Sequence, residues 1–215
     1  MKKLVLSTLL LLGFISNSYA TGSAGFTINM ADVNSTVKDD IDSNGTTDTT
    51  KDLSNDVIFA SIFFEKAVNE YMSVGVDLIP ISAEFESRQT TQSSTKAKAA
   101  GAAPQTTGTN KGTADVSRHL TFYLQPQKEI RDGLKVFGTL GLVRADVESE
   151  VQSVSSDDKT VDQSLNGKKF GLGLKKETGF GFIKVEYSET DYDEISTTTS
   201  NNTKVTADID TEILG

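Results

Sequence analysis

The feature that most constrains the fold is an alternation of apolar and polar residues with period two, found in eight separate segments. In the last segment, residues 205–215, Ile209 and Ile213 share one face while Asp208 and Asp210 share the other. Successive side chains of a β-strand point to opposite faces, so this period is typical of strands. Thr, Val, Ile, Gly and aromatic residues dominate the segments, and no sustained helical stripe is present. The sequence therefore predicts an all-β fold.

The eight predicted strands are separated by connections that alternate strictly between long and short. The strands are residues 25–37, 57–68, 71–87, 115–127, 134–151, 169–176, 181–197 and 205–215. The long connections are 38–56, 88–114, 152–168 and 198–204, and the short ones are 69–70, 129–133 and 178–179. A transmembrane barrel with short periplasmic turns and long extracellular loops has this rhythm. An even strand number also lets the first and last strands pair, which a span through hydrocarbon requires.

Two predicted strands change the phase of their alternation. In the third, the apolar positions shift from Leu78 to Ile79 beside Pro80. Proline cannot donate a ladder hydrogen bond, so a bulge or kink is expected there. A similar slip is expected in the first strand near Met30 and Ala31.

The first twenty residues have the order of a secretory signal peptide. Lys2 and Lys3 precede the apolar stretch 4–15, and Ser18 and Ala20 place small residues three and one before a cut after Ala20. The apolar stretch is short for a membrane anchor, which needs about 20 residues. We expect residues 1–20 to be a cleaved signal peptide and residues 21–215 to form one barrel domain.

The composition excludes several classes of protein. The chain has no cysteine and one histidine, which removes disulfides and the usual zinc sites. Loss of Lys2 and Lys3 would take the formal net charge from -9 to -11, which disfavours nucleic acid as a partner. No apolar run after the leader approaches 18 residues, so no transmembrane helix is predicted. A hydrophobic content of 36% suits a barrel that is apolar on one face of each strand.

Taken together, the signal peptide, the eight strands and the loop rhythm resemble the OmpA-type and opacity-type outer-membrane β-barrel family. The segments 134–147 (LKVFGTLGLVRADV), 170–174 (FGLGL) and 181–187 (GFIKVEY) resemble its glycine-and-aromatic strands, and the resemblance covers residues 22–215. Members usually end on an aromatic residue that the assembly machinery recognises, whereas this sequence ends in EILG. We therefore expect either a different assembly signal or a few further residues.

The resemblance implies an all-β fold: an eight-stranded antiparallel up-and-down transmembrane β-barrel in the outer membrane of a Gram-negative cell. It implies a non-enzymatic protein with an envelope-integrity or surface-interaction role. Expected partners are outer-membrane lipids, lipopolysaccharide and the outer-membrane assembly machinery, with no nucleic acid and a monomeric state. The alternatives are a small-solute channel and a soluble exported β-barrel that binds an apolar ligand. An interior filled by its own side chains is expected for eight strands, which disfavours an open pore.

Charged residues on the non-apolar faces predict a wet or ion-paired interior. They are Glu65, Asp77, Arg144, Lys175, Lys184, Glu186, Asp210 and Glu212. Arg144 is expected to pair with Glu186, Asp210, Glu212 or Asp77. Aromatic residues near strand ends are expected to form interfacial girdles; they are Phe26, Tyr71, Phe137, Phe170, Phe180, Phe182 and Tyr187.

One segment of the first long connection matches the opening of a calcium-binding loop. Its oxygen-bearing residues are Asp40, Asp42, Asn44 and, at the ninth position, Asp48. The twelfth position, which should be a bidentate Glu, is Lys51. An acidic, turn-rich surface loop explains the same residues without a metal, so calcium binding is left open.

Two further sets of residues have a functional and a plainer interpretation. His119 is the only conventional general base near neutral pH, with Ser117 on the same strand face, but no nucleophile motif accompanies them. Lys96, Lys98 and Lys111 form a basic stretch that could meet lipopolysaccharide phosphates, although a solvated loop is the default. The sequence thus predicts no catalytic, cofactor-binding or metal site.

Overall fold

The computed structural model describes residues 22–40, 43–80, 83–92, 108–152, 159–179, 181–198 and 204–215. At residues 39, 83–92, 108–117, 148–152 and 159–161 it describes the backbone alone. No helix among these residues is long and apolar enough to cross a membrane. The described strands are β1 Gly22–Asp40, β2 Thr49–Asn69, β3 Met72–Ile79, β4 Ala83–Gln92, β5 Gly108–Arg131, β6 Leu134–Gln152, β7 Lys159–Thr178, β8 Gly181–Tyr192, β9 Ile195–Thr198 and β10 Lys204–Leu214.

The ten strands form one antiparallel sheet with eight positions around the ring. Each position, which we call a stave, is occupied by one strand or by two consecutive strands in line. β3 and β4 both pair with β5, so they form one stave that is interrupted beside Pro80. β8 and β9 both pair with β10 and form another. Every stave pairs with its neighbours in chain order, and β1 pairs with β10 to close the ring. The predicted eight-stranded up-and-down barrel and the interruption at Pro80 are confirmed.

Closure of the ring runs through the half of the barrel that carries the long connections. β1 pairs with β10 from Met30↔Leu214 to Asp40↔Lys204. On the other side of β10, Gly215 and Glu186 exchange two backbone hydrogen bonds of 2.8 and 2.9 Å. Beyond that point, within the described part of the chain, residues 22–28 of β1 pair only with β2 and residues 181–185 of β8 pair only with β7.

Short turns lie where the sequence predicts them. The β5–β6 turn has Asp132 and Gly133 at φ values of 46° and 76°, the left-handed pair that a tight hairpin turn requires. In the β2–β3 turn, the side-chain carbonyl of Asn69 accepts a hydrogen bond from the Tyr71 amide at 2.8 Å. The β7–β8 connection passes through Gly179. These three connections define the short-turn end of the barrel.

The opposite, long-loop end differs from the prediction because the strands extend further than expected. β1 continues to residue 40, β2 begins at 49, β4 ends at 92 and β5 begins at 108. β6 continues to residue 152, and β7 begins at 159 rather than at 169. The predicted long connections were therefore too long. Where side chains are described, in residues 49–56 and 162–168, the outer face of these added segments is mostly polar. That polarity was misinterpreted as a sign of loop.

The outer surface of the barrel carries an apolar band near the short-turn end. The large exposed apolar side chains of the band are Ile28, Met30, Ile58, Ile62, Phe64, Leu78, Phe122, Leu124, Val136, Leu140, Leu142, Phe170, Leu172, Leu174, Ile183, Val185, Tyr187 and Leu214. They come from every stave around the sheet. The interior at this level is mostly polar, which is the reverse of a water-soluble protein.

Towards the long-loop end, the apolar residues change to the inner face. Val143, Ala145, Val147, Leu165 and Tyr192 form a buried core inside the barrel, with Ile195 and Ile209 packed against it. The change explains the apparent slip in β1, where Met30 is 57% exposed and Ala31 is 5% exposed. The pairing of β1 continues through this point without a register shift on either side. The predicted slip was therefore wrong.

Candidate functional site

The candidate site is a cluster of charged and polar side chains inside the barrel, at the level of the apolar band. We call it the lumen network; its members are Glu65, Asp77, Gln125, Thr139, Lys169, Lys175, Lys184 and Glu186. They point inward because they occupy the alternate positions of their strands that oppose the band. The three carboxylates and three ammonium groups balance in charge.

One centre of the lumen network is the Lys175–Glu65 ion pair. The two residues are 4% and 7% exposed, and the Lys175 ammonium donates a hydrogen bond to Glu65 Oε1. Lys175 also lies 3.5 Å from the side-chain carbonyls of Gln125 and Gln127. The Lys184 ammonium is 3.9 Å from the second oxygen of Glu65.

The second centre is the Glu186 carboxylate. One of its oxygens accepts hydrogen bonds from the Thr139 hydroxyl at 2.8 Å and the Gln125 amide at 3.4 Å. The other oxygen pairs with the Lys169 ammonium at 3.0 Å. Gln125 also donates to Thr139 at 3.1 Å, and it contacts Lys175, so one amide joins the two centres.

Asp77 occupies the third acidic position. Its carboxylate accepts a hydrogen bond from the Ser61 hydroxyl at 2.9 Å, and Ser61 accepts one from the Asn29 amide at 3.1 Å. Asn29 and Ser61 are both buried. A relay of side chains thus connects β1, β2 and β3 across the inner wall.

Aromatic rings fill the space around the two inner ammonium groups. Lys184 lies 4.3 Å from the ring centre of Phe63, and Lys175 lies 4.7 Å from that of Phe182. Rings at such distances attract cations. Glycines on the facing strands make room for large side chains: a Cβ added at Gly75 would stand 2.3 Å from the Tyr123 ring. Small and large residues therefore alternate around the lumen.

These contacts can keep the lumen closed and without net charge. Buried charges are tolerated when they are paired and hydrogen-bonded, and the Lys175–Glu65 and Lys169–Glu186 contacts are both. The contacts cross the lumen between strands distant in sequence, such as β2 and β7 or β5 and β8. Together with the rings they occupy the interior at this level.

The predicted interior charges are partly confirmed. Glu65, Asp77, Lys175, Lys184 and Glu186 do face inward, and so does Lys169, which was not named among the predicted interior charges. An even spacing of six residues from Lys175 placed Lys169 on the same face, which is the signal that could have found it.

The predicted role of Arg144 was wrong. Arg144, Asp210 and Glu212 are exposed on the outer face, and the Arg144 guanidinium lies 3.3 Å from the Ser164 hydroxyl. These three residues lie beyond the apolar band, where polar residues face outward and apolar residues face inward. The prediction assumed one apolar face along the full length of each strand.

The predicted aromatic girdle is divided between the two faces. Tyr71, Phe170 and Tyr187 are exposed at the surface, as expected of a girdle. Phe137, only 1% exposed, and Phe182 instead point inward against Lys175. Phe180 lies outside the described residues.

His119 lies beside the apolar core rather than in the lumen network. Its Nε2 is 2.8 Å from the Tyr192 hydroxyl, and the two rings meet edge to face. No carboxylate among the described side chains hydrogen-bonds to His119. Ser117 belongs to β5, but its side chain is not described. The pair observed is therefore His119–Tyr192, a contact between a half-buried imidazole and a buried phenol ring.

In the acidic turn after β1, the carboxylate of Asp40 stabilises the turn itself. Asp40 accepts hydrogen bonds from the Asn44 amide at 3.0 Å and from the Gly45 amide at 2.8 Å, one on each oxygen. The side chain of Asn44 accepts a bond from the Thr46 amide at 2.8 Å. Asp42 lies outside the described residues, and calcium binding by Asp40, Asp42, Asn44 and Asp48 stays untested. Among the described residues, no group of three or more acidic, histidine or cysteine side chains is arranged to hold a metal ion.

The basic stretch of the longest connection lies mostly outside the described part of the chain. Lys96 and Lys98 are not described, and Lys111 is described as a backbone position of β5. Their predicted contact with lipopolysaccharide stays a prediction.

Comparison with known proteins gives structural likeness only. No family model matches the chain, and no curated protein does. Among solved structures, Ail, the attachment invasion locus protein of Yersinia pestis, is 14% identical, with 88% of this chain and 97% of that chain covered and a TM-score of 0.36. Neisserial surface protein A is 11% identical over 88% of this chain and 98% of that one, also with a TM-score of 0.36. A Pseudomonas aeruginosa FadL homologue is 6% identical, covers 92% of this chain and 64% of its own, and has a TM-score of 0.29. Likeness at this level carries no argument about function.

Proposed function

We propose that the protein is an outer-membrane β-barrel with neither a pore nor an enzymatic site, which supports envelope integrity or presents its long-loop end outside the cell. The observation that carries this proposal is the pairing of an apolar outer band with a polar, ion-paired interior. A closed β-barrel is one of the two kinds of structure that can span hydrocarbon. Here the pairing of β1 with β10 closes the ring from Met30↔Leu214 to Asp40↔Lys204. An outward apolar band with a polar interior is the pattern of outer-membrane barrels.

Export with removal of residues 1–20 is part of the same proposal, since insertion into the outer membrane requires secretion. The partners that follow are outer-membrane lipids, lipopolysaccharide and the assembly machinery, with the barrel acting as a monomer. The lumen network occupies the interior at the level of the apolar band, and the inner apolar core occupies it towards the long-loop end. For that reason the structure favours a closed interior over a small-solute channel.

Tagging the two ends of the barrel tests the location and the orientation. An epitope inserted after Gly45, in the exposed β1–β2 turn, should be labelled on intact cells. The matched control is the same epitope after Asp132 in the β5–β6 turn, which should be labelled only after the outer membrane is permeabilised. Recovery of the untagged protein in osmotic-shock fluid would contradict the membrane assignment and support the soluble binder.

Recording from planar lipid bilayers separates the non-pore role from a channel. The wild-type protein is expected to give no discrete conductance steps, since paired side chains occupy the lumen. A double substitution that removes one pair and its bulk, Glu65→Ala with Lys175→Ala, is the matched comparison and should raise the conductance. Regular steps from the wild-type protein would favour the channel instead.

A further inference from the structure

Three outward-facing lysines lie at the short-turn side of the apolar band. Lys66 follows Phe64 on the outer face of β2, Lys128 follows Pro126 on β5, and Lys176 follows Leu174 on β7; all three are exposed. β2 and β5 are separated by one stave, as are β5 and β7. At about 4.8 Å between strands, each lysine stave is roughly 10 Å from the next.

Apolar side chains continue beyond two of these lysines. Val68 lies one outward position past Lys66 and is 58% exposed, and Ile130 lies one outward position past Lys128 and is 61% exposed. Tyr71, in the turn beside them, is 63% exposed. Lys66 and Lys128 are therefore bracketed by side chains suited to lipid, whereas Lys176 has the band on one side only. A lysine in such a place lays its methylene stem along the apolar surface and extends its ammonium to the headgroups.

The protein itself does not neutralise these three cations. Neighbouring cations of the short-turn end have carboxylate partners: Arg131 pairs with Asp132 at 2.9 Å, and Lys135 pairs with Glu177 at 2.5 Å. Lys176 donates to the backbone carbonyl of Asp132. Within the described part of the chain, no carboxylate lies within ion-pair distance of Lys66, Lys128 or Lys176.

The opposite edge of the band carries more carboxylates than cations. The first outward charged positions beyond the band there are Asp32, Asp56, Glu189 and Glu212, with Arg118, Arg144 and Lys168 as cations. Arg118 is itself paired with Asp146 at 2.8 Å. Strand pairing sets these carboxylates side by side: Asp32 is opposite both Asp56 and Glu212, and Glu212 is opposite Glu189. Anionic groups are thus attracted at one edge of the band and repelled along part of the other.

We propose that Lys66, Lys128 and Lys176 form a binding surface for the phosphates of anionic phospholipids in the leaflet that surrounds the short-turn end. Charge complementarity and the flanking apolar side chains identify the partner as a lipid that offers both an acyl chain and a phosphate. The inference rests on the proposed placement in a membrane and adds a preference for one class of headgroup. Attraction of this kind falls with added salt.

Spin-labelled lipids measure this preference directly. The protein is reconstituted in phosphatidylcholine vesicles with trace spin-labelled phosphatidylglycerol or phosphatidylcholine, and the motionally restricted fraction of each label gives the relative association. The wild-type barrel should prefer phosphatidylglycerol by roughly fivefold or more at its lysine sites. High salt should reduce the preference.

Two matched double variants locate the preference. Lys66→Gln with Lys128→Gln should lower the ratio markedly towards one, since only Lys176 then remains, whereas Arg144→Gln with Lys168→Gln, which also removes two outward cations, should leave it unchanged. A ratio that survives the first pair, or is lost with the second, would overturn the proposal. Equal restriction of both labels by the wild type would also overturn it while leaving the membrane placement intact. Absence of any restricted lipid would instead contradict the placement.

Discussion

At the scale of single residues, the Lys175–Glu65 pair is the interior contact whose loss is expected to destabilise the barrel most. Both side chains are nearly inaccessible, and the Lys175 ammonium also meets two glutamine carbonyls and two aromatic rings. A buried ion pair gives little net stabilisation over a hydrophobic replacement of both partners, but it is costly to break from one side. Replacing one partner alone is therefore expected to cost more stability than replacing both.

Lys175→Met should destabilise the barrel by about 3–5 kcal/mol, because it leaves the Glu65 carboxylate buried without its closest cation. Urea unfolding in lipid vesicles measures the change. The control is Arg131→Met, which removes an exposed partner of Asp132 and should change the free energy of unfolding very little. Similar losses of unfolding free energy in both variants would show that burial does not make the Lys175–Glu65 pair costlier to break.

At the scale of the strands, each long stave has two halves with opposite patterns. On β7, Phe170, Leu172 and Leu174 face outward near the short-turn end, whereas Leu165 faces inward near the long-loop end. Alternation is unbroken through the change, so only the environment of each face differs. The outer face passes from apolar to polar side chains, and the inner face passes from mostly polar to apolar ones.

The same substitution at two positions of β7 tests this change of face. Leu165→Ala should cost about 2–5 kcal/mol because it leaves a cavity in a packed core. Leu172→Ala should cost less than about 1 kcal/mol, because lipid tails fill the space left by an outward side chain. Equal costs, measured by unfolding in the same vesicles, would contradict the assignment of the two faces.

Much of the fold could be predicted from period and spacing, because strand alternation is local. The eight staves, the three short turns and the interruption at Pro80 all depend on neighbouring residues. The change of face was not predicted, since it depends on where the surroundings of the barrel change. That error misplaced Arg144, Asp210 and Glu212 and shortened β7. The pairing partners inside the lumen, such as Lys175 with Glu65, depend on register between strands distant in sequence.

At the scale of the whole molecule, the account depends on the apolar band lying in hydrocarbon. Band residues come from all parts of the ring, while charged outward residues lie at both of its edges. The chain contains no tryptophan, so a single introduced indole reports on its own surroundings without background.

The most direct test is quenching of single tryptophans by lipids that carry bromine in the middle of their acyl chains. Tryptophan in Leu172→Trp should be strongly quenched, because this outward position of β7 lies within the band. Tryptophan in Asn166→Trp, an outward position of the same strand beyond the band, should be quenched far less. Equal quenching at the two positions, or none at Leu172→Trp, would contradict a barrel that spans the membrane at the apolar band.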